Sequence, residues 1–335
     1  MQQGCGDWGK ATIIVQVNDG YIDFFCSWLK AYRDIQVSNR VLAVAYGDRT
    51  QETLELMLGR QNVIRSQLTV DGFHRFGFGH TAPFNELARE KISLMERTLN
   101  VTQQPVVFTD LDAIWLRNPL SFLTGELRAG LSAVAESFDP RANLSDPRAK
   151  QATYFCSCFV AACNDAAARE ALARWREGIL IRKQSSPGRY NRSILIENEQ
   201  EALNRLVKDV GKGHNMKPHQ GVQMGGFGIG MLPSSRFPSV RVVKTQAHIR
   251  PEYLWVHANY LIGRKRKTAA LTHLNLWHPN CSLLRTHAGS APIWFRGKAD
   301  SIAVPGRSND MAEGVSGSQS SSPDGYRERP RRMRP

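Results

Sequence analysis

The chain has 335 residues, 41% of them apolar, and a formal net charge of +14. This length and apolar content allow a substantial core, as in an α/β enzyme, and no stretch approaches the roughly 20 continuous apolar residues of a transmembrane helix. The positive charge suits phosphorylated or acidic ligands, but no recognised nucleic-acid-binding motif is present, so we expect no specific nucleic-acid partner.

The first part of the chain alternates predicted strands with predicted helices. Apolar, β-prone runs predict strands at residues 12–17, 41–46, 63–64 and 105–108. Apolar residues at helical spacing predict helices at residues 22–32, 50–58 and 84–99. Thr50 is the predicted cap of the second helix. This alternation favours an α/β fold with a mostly parallel sheet flanked by helices.

Polar residues follow several of these predicted strands. In parallel sheets, ligands bind beyond the carboxyl ends of the strands. The residues at those ends are Asn18, Asp19, Asp48, Asp110 and Asp112. We therefore expect the ligand site at this edge of the sheet.

Asp110 and Asp112 form an Asp-x-Asp motif directly after the buried strand at 105–108. In an extended segment the two carboxylates point the same way, so together they offer hard oxygen ligands to a divalent cation. A solvated turn is the alternative interpretation. The apolar residues 114–116 argue against it, because they draw the carboxylates toward the interior, where a charge needs a partner.

Lys91 lies within or beside the apolar stripe of the predicted helix at 84–99. Taken alone, this position favours a snorkelling lysine, whose stem covers apolar surface while its ammonium group stays in water. The alternative is an inward-facing lysine that meets phosphate near the Asp-x-Asp motif.

The second part of the chain has further predicted strands at residues 130–135, 153–161 and 254–262. Helices are predicted from Asp165 to a stop at Gly178 and from Glu199 to a stop at Gly211, whereas residues 211–230 give no clear prediction. Residues 138–151 have a loop-like composition. We predict an N-terminal extension at 1–10, one domain at 11–296 and a disordered basic tail at 297–335.

The N-terminus lacks the layout of a signal peptide. This favours either a cytoplasmic chain or a longer chain in which a targeting segment precedes Met1. Sequons at Asn100, Asn143, Asn191 and Asn280 would instead fit a secretory lumen. The six cysteines show no CxxC pair and no zinc-type spacing, and Cys156, Cys158 and Cys163 are predicted to be small core residues.

Two separated blocks carry a family resemblance. The run from Phe108 to Leu120, Phe-Thr-Asp-Leu-Asp-Ala-Ile-Trp-Leu-Arg-Asn-Pro-Leu, resembles the signature of the nucleotide-diphospho-sugar transferases grouped as glycosyltransferase family 77. Val256-His257-Ala258-Asn259-Tyr260, with Gly263 and Lys267, resembles a second motif of that family. The family includes plant arabinosyl- and xylosyltransferases, and the resemblance covers residues 11 to 275 approximately.

The resemblance implies a GT-A fold, with a Rossmann-like nucleotide-binding half joined to an acceptor half. It implies a metal-dependent, retaining transferase that moves a sugar from a UDP-sugar donor to a glycan or glycoprotein acceptor in the Golgi lumen. Mn²⁺ or Mg²⁺ would be held by Asp110, Asp112 and His257. Read alone, His257 is more simply a satisfied core histidine.

The resemblance also assigns substrate-binding residues. Lys267, or Lys265 beside it, would contact the diphosphate, and Asn18 and Asp48 would contact the nucleoside. Lys91 and Asn259 complete this predicted set. No protein nucleophile is assigned, because a retaining transferase can use a same-face internal return.

Two departures from the family pattern fall on the acceptor side. Glu199-Gln200 stands where the family commonly has Asp-Gln, and we predict that this pair positions the sugar in catalysis. Phe155-Cys156-Ser157-Cys158-Phe159 stands where the family commonly has Asn-Ser/Thr-Gly. These departures leave open an alternative function, a catalytically silent homologue that binds a nucleotide sugar or carbohydrate.

Overall fold

The structure, a computed structural model, describes residues 5, 7–68, 82–126, 131–137, 153–179, 181–183, 194–196, 198–211, 222–224, 227–232, 235–246, 249–259, 261 and 263–284. Residues 69–81, all of the loop-like segment at 138–151 and the predicted tail at 297–335 lie outside these ranges. Within them, no helix has both the length and the apolar character needed to cross a membrane.

The described strands are β1 (Thr12–Asn18), β2 (Arg40–Tyr46), β3 (Val63–Arg65), β4 (Val106–Thr109), β5 (Ala113–Trp115), β6 (Leu131–Ser137), β7 (Thr153–Ala162), β8 (Ile181–Lys183), β9 (Ile194–Ile196), β10 (Val222–Met224), β11 (Phe227–Leu232) and β12 (Trp255–His257). Eight of them form one sheet in the order β10-β11-β6-β7-β4-β1-β2-β3. Four neighbouring pairs are parallel, including β1 with both β2 and β4, and three are antiparallel. This mostly parallel sheet, flanked by helices, confirms the predicted α/β GT-A fold.

The described helices are α1 (Ile22–Asp34), α2 (Asp48–Leu58), α3 (Ala82–Thr102), α4 (Pro119–Glu126), α5 (Ala166–Glu177), α6 (Glu199–Gly211), α7 (Val240–Gln246) and α8 (Arg264–His273). The prediction of Thr50 as the cap of α2 is wrong. The helix begins two residues earlier, at Asp48, with Gly47 before it at φ 115°. Glycine adopts this left-handed conformation without a Cβ clash. Thr50 is buried inside the helix, where its hydroxyl donates to Asp19.

A short ribbon outside the main sheet joins two distant parts of the sequence. In this ribbon β5 pairs antiparallel with β12, so that Ala113 lies opposite His257. The N–H of Ala258 donates to the carbonyl of Asp112 at 2.9 Å. The strand predicted at 254–262 is shorter than expected. It spans only Trp255–His257, and the next residue, Ala258, hydrogen-bonds to the acidic motif.

An aromatic cluster packs beneath this ribbon. Trp115 contacts Trp28 of α1 edge to face, at 5.8 Å between ring centroids, and Trp255 contacts Phe159 of β7 in the same way at 5.3 Å. The indole of Trp115 donates to the Thr109 hydroxyl at 3.3 Å. Burial of these rings fixes the ribbon on the sheet, and the apolar residues after the acidic motif thus hold it near the core, as their sequence predicted.

The structure pairs all six cysteines. Cys156, Cys158 and Cys163 are buried in the core as predicted, but the prediction did not include their disulfide bonds. The disulfides are Cys5–Cys163, Cys26–Cys281 and Cys156–Cys158. The first two join residues 158 and 255 positions apart, so local spacing could not reveal them. Cys26–Cys281 fastens α1 to the segment after α8.

Removing the Cys26–Cys281 disulfide by a double alanine substitution is expected to lower the free energy of unfolding by about 2–5 kcal/mol, because the bond closes a long loop in the unfolded chain. The matched control is the double alanine variant of Cys156 and Cys158, which are only two positions apart. It should lose less stability, since a short loop has little closure entropy. Urea denaturation of both variants measures this difference, and equal losses would contradict the prediction.

Candidate functional site

The acidic motif forms a tight turn immediately after β4. The N–H of Asp110 donates to the carbonyl of Cys158 at 2.8 Å, and the N–H of Ala113 returns to the carbonyl of Asp110 at 3.2 Å. Asp112 is buried, whereas the Asp110 side chain is 38% exposed. The two carboxylates lie on one side as predicted, but a turn brings them together rather than the alternation of a strand.

His257 completes a cluster with these two carboxylates. Single ligand atoms of Asp110, Asp112 and His257 all lie within 4.8 Å of one another. Nε2 of His257 is 3.3 Å from Oδ1 of Asp112. Two carboxylate oxygens and an imidazole nitrogen are ligands that suit a divalent cation such as Mn²⁺, so the donor set fits the metal implied by the sequence.

Lys267 of α8 reaches the same cluster. Its Nζ lies 2.5 Å from Oδ2 of Asp112, and it is the lysine of the predicted pair that the structure brings to the site. Burial raises the pKa of Asp112, but the charges of Lys267 and His257 outweigh burial and hold this pKa far below its usual range. Asp112 is therefore a carboxylate at any physiological pH.

Lys265 and Asp48 lie apart from this cluster in the described contacts. Lys265 is exposed on α8, and its backbone carbonyl accepts a hydrogen bond from the Thr268 hydroxyl. Asp48 begins α2 with an exposed side chain and forms an ion pair with Arg65. In these described contacts, neither residue touches the Asp110 or Asp112 carboxylate.

The remaining predicted nucleoside and substrate residues are closer to the interior. Asn18 ends β1 and is buried, and its Oδ1 accepts no hydrogen bond from the described residues. Asn259 is half-buried and follows His257 by two positions.

Tyr21 lies close enough to this cluster to feel its charges, and the sequence did not single it out. Burial raises the pKa of Tyr21, Lys267 lowers it and the Asp112 charge raises it. The available signal was its position directly after the Asn18-Asp19-Gly20 turn. The neighbouring Gly20 carbonyl accepts from Arg264 of α8 at 2.7 Å, and Arg264 also pairs with Asp23.

Lys91 is buried beneath the acidic motif, so the prediction of a snorkelling lysine is wrong. Its Nζ lies 3.0 Å from Oε1 of Glu199 and 3.9 Å from Oδ1 of Asp110. It donates to the carbonyl of Ser157 at 3.1 Å and lies 4.4 Å from the centroid of the Phe108 ring. Burial lowers the pKa of Lys91, but the charges of Glu199 and Asp110 outweigh burial and raise this pKa overall, so the ammonium stays charged.

Asp110 carries the least compensated charge of the cluster. Burial raises its pKa, Lys91 lowers it and Asp112 raises it, with a resulting value of about 6. Its nearest described cation is the Lys91 ammonium, at 3.9 Å, which is shared with Glu199. A divalent cation between Asp110 and Asp112 would relieve this mutual repulsion, and this is a second observation that fits a metal here.

Glu199 and Gln200 contact the segment that departs from the family pattern. The Ser157 hydroxyl donates to Oε1 of Glu199 at 2.6 Å, and the Ser157 N–H donates to Oε1 of Gln200 at 3.2 Å. Burial raises the pKa of Glu199, but Lys91 and the Ser157 hydrogen bond outweigh it and lower this pKa overall. Oε2 of Glu199 is buried and accepts no hydrogen bond from the described residues.

Asn204 fixes the irregular part of β7 onto α6. Its Oδ1 accepts from the N–H of Phe155 at 2.7 Å, and its Nδ2 donates to the carbonyl of Phe155 at 2.8 Å. The pairing between β6 and β7 jumps from Val160 to Cys156 at this point. The resulting bulge leaves residues 157–159 outside that ladder and turns Ser157 toward Lys91 and Glu199.

The sequence model of the nucleotide-diphospho-sugar transferases matches residues 36–271. The chain therefore belongs to the nucleotide-diphospho-sugar transferase family, and it is a glycosyltransferase. Two similar proteins of Arabidopsis thaliana are UDP-D-xylose:L-fucose alpha-1,3-D-xylosyltransferase MGP4 and UDP-D-xylose:L-fucose alpha-1,3-D-xylosyltransferase 1. Each is 24% identical and covers 84% of this chain; the alignments span 72% and 73% of the two relatives.

Two solved glycosyltransferases are also similar. The Streptococcus pneumoniae glycosyltransferase GlyE is 14% identical, with a TM-score of 0.42 over 79% of this chain and 60% of that chain. An active-site mutant of LgtC is likewise 14% identical, with a TM-score of 0.42 over 78% of this chain and 96% of that chain.

Proposed function

We propose that this chain is a metal-dependent, retaining glycosyltransferase that transfers a sugar from a UDP-sugar to a glycan or glycoprotein acceptor. The observation that carries the proposal is the cluster of Asp110, Asp112 and His257, with the Lys267 ammonium beside it. Family membership supports the use of a nucleotide-diphospho-sugar, and the donor chemistry of the cluster supports the metal.

Asp110, Asp112 and His257 would hold Mn²⁺ or Mg²⁺ in this enzyme. When bound, such a cation stabilises the negative charge that develops on the departing diphosphate. Lys267 supplies a second positive charge at the same place, since its ammonium is already held at Asp112. Asn18 and Asp48 are proposed to contact the nucleoside, and Lys265 and Asn259 to contact the rest of the donor.

Glu199 and Gln200 are proposed to position the transferred sugar. Lys91 and Ser157 keep Glu199 ionised through its Oε1, so Oε2 remains to accept a hydrogen bond from a sugar hydroxyl. Lys91 is proposed to position these groups without touching the sugar, because its ammonium lies near the carboxylates of both Glu199 and Asp110. We assign no protein nucleophile, in keeping with a same-face internal return.

UDP-xylose and an L-fucoside are the first donor and acceptor to test, because two similar proteins carry these substrates in their names. A Golgi lumen is the proposed compartment. Three disulfides support it, since such bonds persist in oxidising compartments and are rare in the cytosol.

Calorimetric titration of UDP into the chain, with and without Mn²⁺, tests the proposed metal dependence. We expect Mn²⁺ to tighten UDP binding by at least about tenfold, a change of about 1.4 kcal/mol. Transfer assays with a panel of UDP-sugars should then yield a product whose anomeric configuration, read by NMR, matches that of the donor. Metal-independent binding would contradict the proposed metal site. Binding without turnover of any donor would favour the silent homologue instead.

A further inference from the structure

A second group of metal-binding side chains lies against the first. Cys156 and Cys158 are buried in β7, and their sulfur atoms and one ring nitrogen of His257 all lie within 4.8 Å of one another. Sγ of Cys156 is 3.9 Å from Nδ1 of His257. In the structure the two sulfurs form a disulfide, so this group offers thiolates only after reduction.

The imidazole of His257 lies between the two groups of ligands. Its Nδ1 faces the sulfur of Cys156, and its Nε2 faces Oδ1 of Asp112 at 3.3 Å. A neutral imidazole has one nitrogen that can bind a metal through its lone pair, while the other carries the proton. His257 therefore cannot serve both groups as a neutral ligand at the same time.

We propose that reduction of the Cys156–Cys158 disulfide opens a second metal site, in which Cys156, Cys158 and Nδ1 of His257 bind a soft divalent cation such as Zn²⁺. A dithiol supplies the two electrons and two protons that convert the disulfide to two thiols, and is itself oxidised to a disulfide. The cation then displaces the two thiol protons to solvent, and both sulfurs bind as thiolates.

The chemistry of the group favours zinc over manganese or magnesium. Thiolates are soft ligands that prefer zinc, and two of them neutralise a divalent cation in a buried place. Two sulfurs and one nitrogen leave a fourth position open, as in zinc sites that keep a water ligand. With Nδ1 on zinc, the Nε2–H would donate a hydrogen bond to Oδ1 of Asp112, the usual carboxylate support of a metal-bound histidine.

Occupation of this thiolate site removes His257 from the carboxylate cluster. A chain that is both reduced and loaded with zinc should therefore lose the hard-metal site, whereas the oxidised chain keeps it. This consequence rests on the proposed function, but the existence of the thiolate site does not.

Cobalt titration of the anaerobically reduced, desalted full chain tests the site, because thiolate ligands give Co²⁺ an intense charge-transfer absorption. We expect one equivalent of Co²⁺ to produce this absorption and Zn²⁺ to abolish it by displacement. The Cys156→Ser/Cys158→Ser variant should lose the absorption. The Cys5→Ser/Cys163→Ser variant, which removes a different disulfide, should retain it. No absorption in the wild-type chain, or its survival in the first variant, overturns the proposal.

Alkylation of the wild-type chain gives a second test that needs no variant to fold. Zn²⁺ should slow the alkylation of Cys156 and Cys158 in the reduced chain by at least about tenfold, as a bound metal masks the thiolate nucleophile, and Mg²⁺ should leave the rates unchanged. Peptide mapping identifies the protected residues. Equal rates with and without Zn²⁺, or a disulfide that dithiols cannot reduce in the folded chain, overturn the proposal. Mn²⁺-dependent UDP binding by the oxidised chain reports separately on the proposed function.

Discussion

Asp112→Asn is expected to abolish Mn²⁺-dependent UDP binding and to lower kcat/KM for sugar transfer by about a thousandfold, the upper range for losing a group that stabilises developing charge. Asp112 is the residue on which the site converges. Its Oδ2 holds Lys267 at 2.5 Å, its Oδ1 faces His257 at 3.3 Å, and its carbonyl accepts from Ala258. An amide keeps the size of the side chain but removes the negative charge that holds the Lys267 ammonium and that would bind Mn²⁺. Calorimetry with Mn²⁺ and initial rates over a donor concentration series measure the two effects.

Folding of this variant must be checked separately, because the Lys267 ammonium loses its partner in a buried place. We expect some loss of stability but a native circular dichroism spectrum, since Lys267 is 18% exposed and can reach solvent. Asp34→Asn is the matched control, because Asp34 is an exposed residue paired with Lys30. It should leave binding and transfer unchanged. Full Mn²⁺ dependence in Asp112→Asn would show that the cluster is not the metal site.

The acidic half of this site could be predicted from sequence because its information is local. The strand before Asp110 is marked by continuous apolar residues, and the aromatic and aliphatic residues after Asp112 show that the motif stays near the core. The sequence alone was less clear about how the carboxylates come together. Either a turn or an extended strand end can place Asp110 and Asp112 on one side. The predicted arrangement of the two carboxylates is therefore confirmed, although a turn and not the alternation of a strand produces it.

The other half of the site depends on contacts between distant residues. His257 reaches Asp112 because β12 pairs with β5, and no local pattern marks this antiparallel ribbon. Of the two neighbouring lysines, it is Lys267 that contacts Asp112, and this also depends on how the distant segments pack. The resemblance to a family supplied both residues and the segment that contains Ser157, whereas Tyr21 lies in no block that resembles the family.

Lys91 shows why burial of a charge is hard to predict from one sequence. A lysine beside an apolar stripe usually keeps its ammonium in water, because burying a lone charge is costly. Here Glu199 compensates that cost, but it lies 108 positions away and on another helix. The same limit applies to the disulfides Cys5–Cys163 and Cys26–Cys281, whose distant partners are brought together by the fold.

A double-mutant cycle on Lys91 and Glu199 is expected to give a coupling free energy of about 2 kcal/mol or more. Lys91→Met should lower the free energy of unfolding by about 3–5 kcal/mol, because it leaves the Glu199 carboxylate buried without a cation. Glu199→Gln should cost less, since Lys91 keeps Asp110 at 3.9 Å and the Ser157 carbonyl at 3.1 Å. The double variant removes both charges, so its loss should be well below the sum of the single losses. Urea denaturation with a constant slope measures all four proteins.

The exposed pair of Lys30 and Asp34 is the control for this cycle. Its nitrogen and oxygen atoms are 2.5 Å apart, closer than the 3.0 Å of Lys91 and Glu199, but its side chains are 39% and 58% exposed rather than 5% each. Solvent screening should limit its coupling to about 0.5 kcal/mol. If burial rather than distance sets the strength of an ion pair here, the longer contact will give the larger coupling. Additive losses at Lys91 and Glu199 would instead mean that Asp110 and Ser157 alone hold the lysine, and that Glu199 is not kept ionised by it.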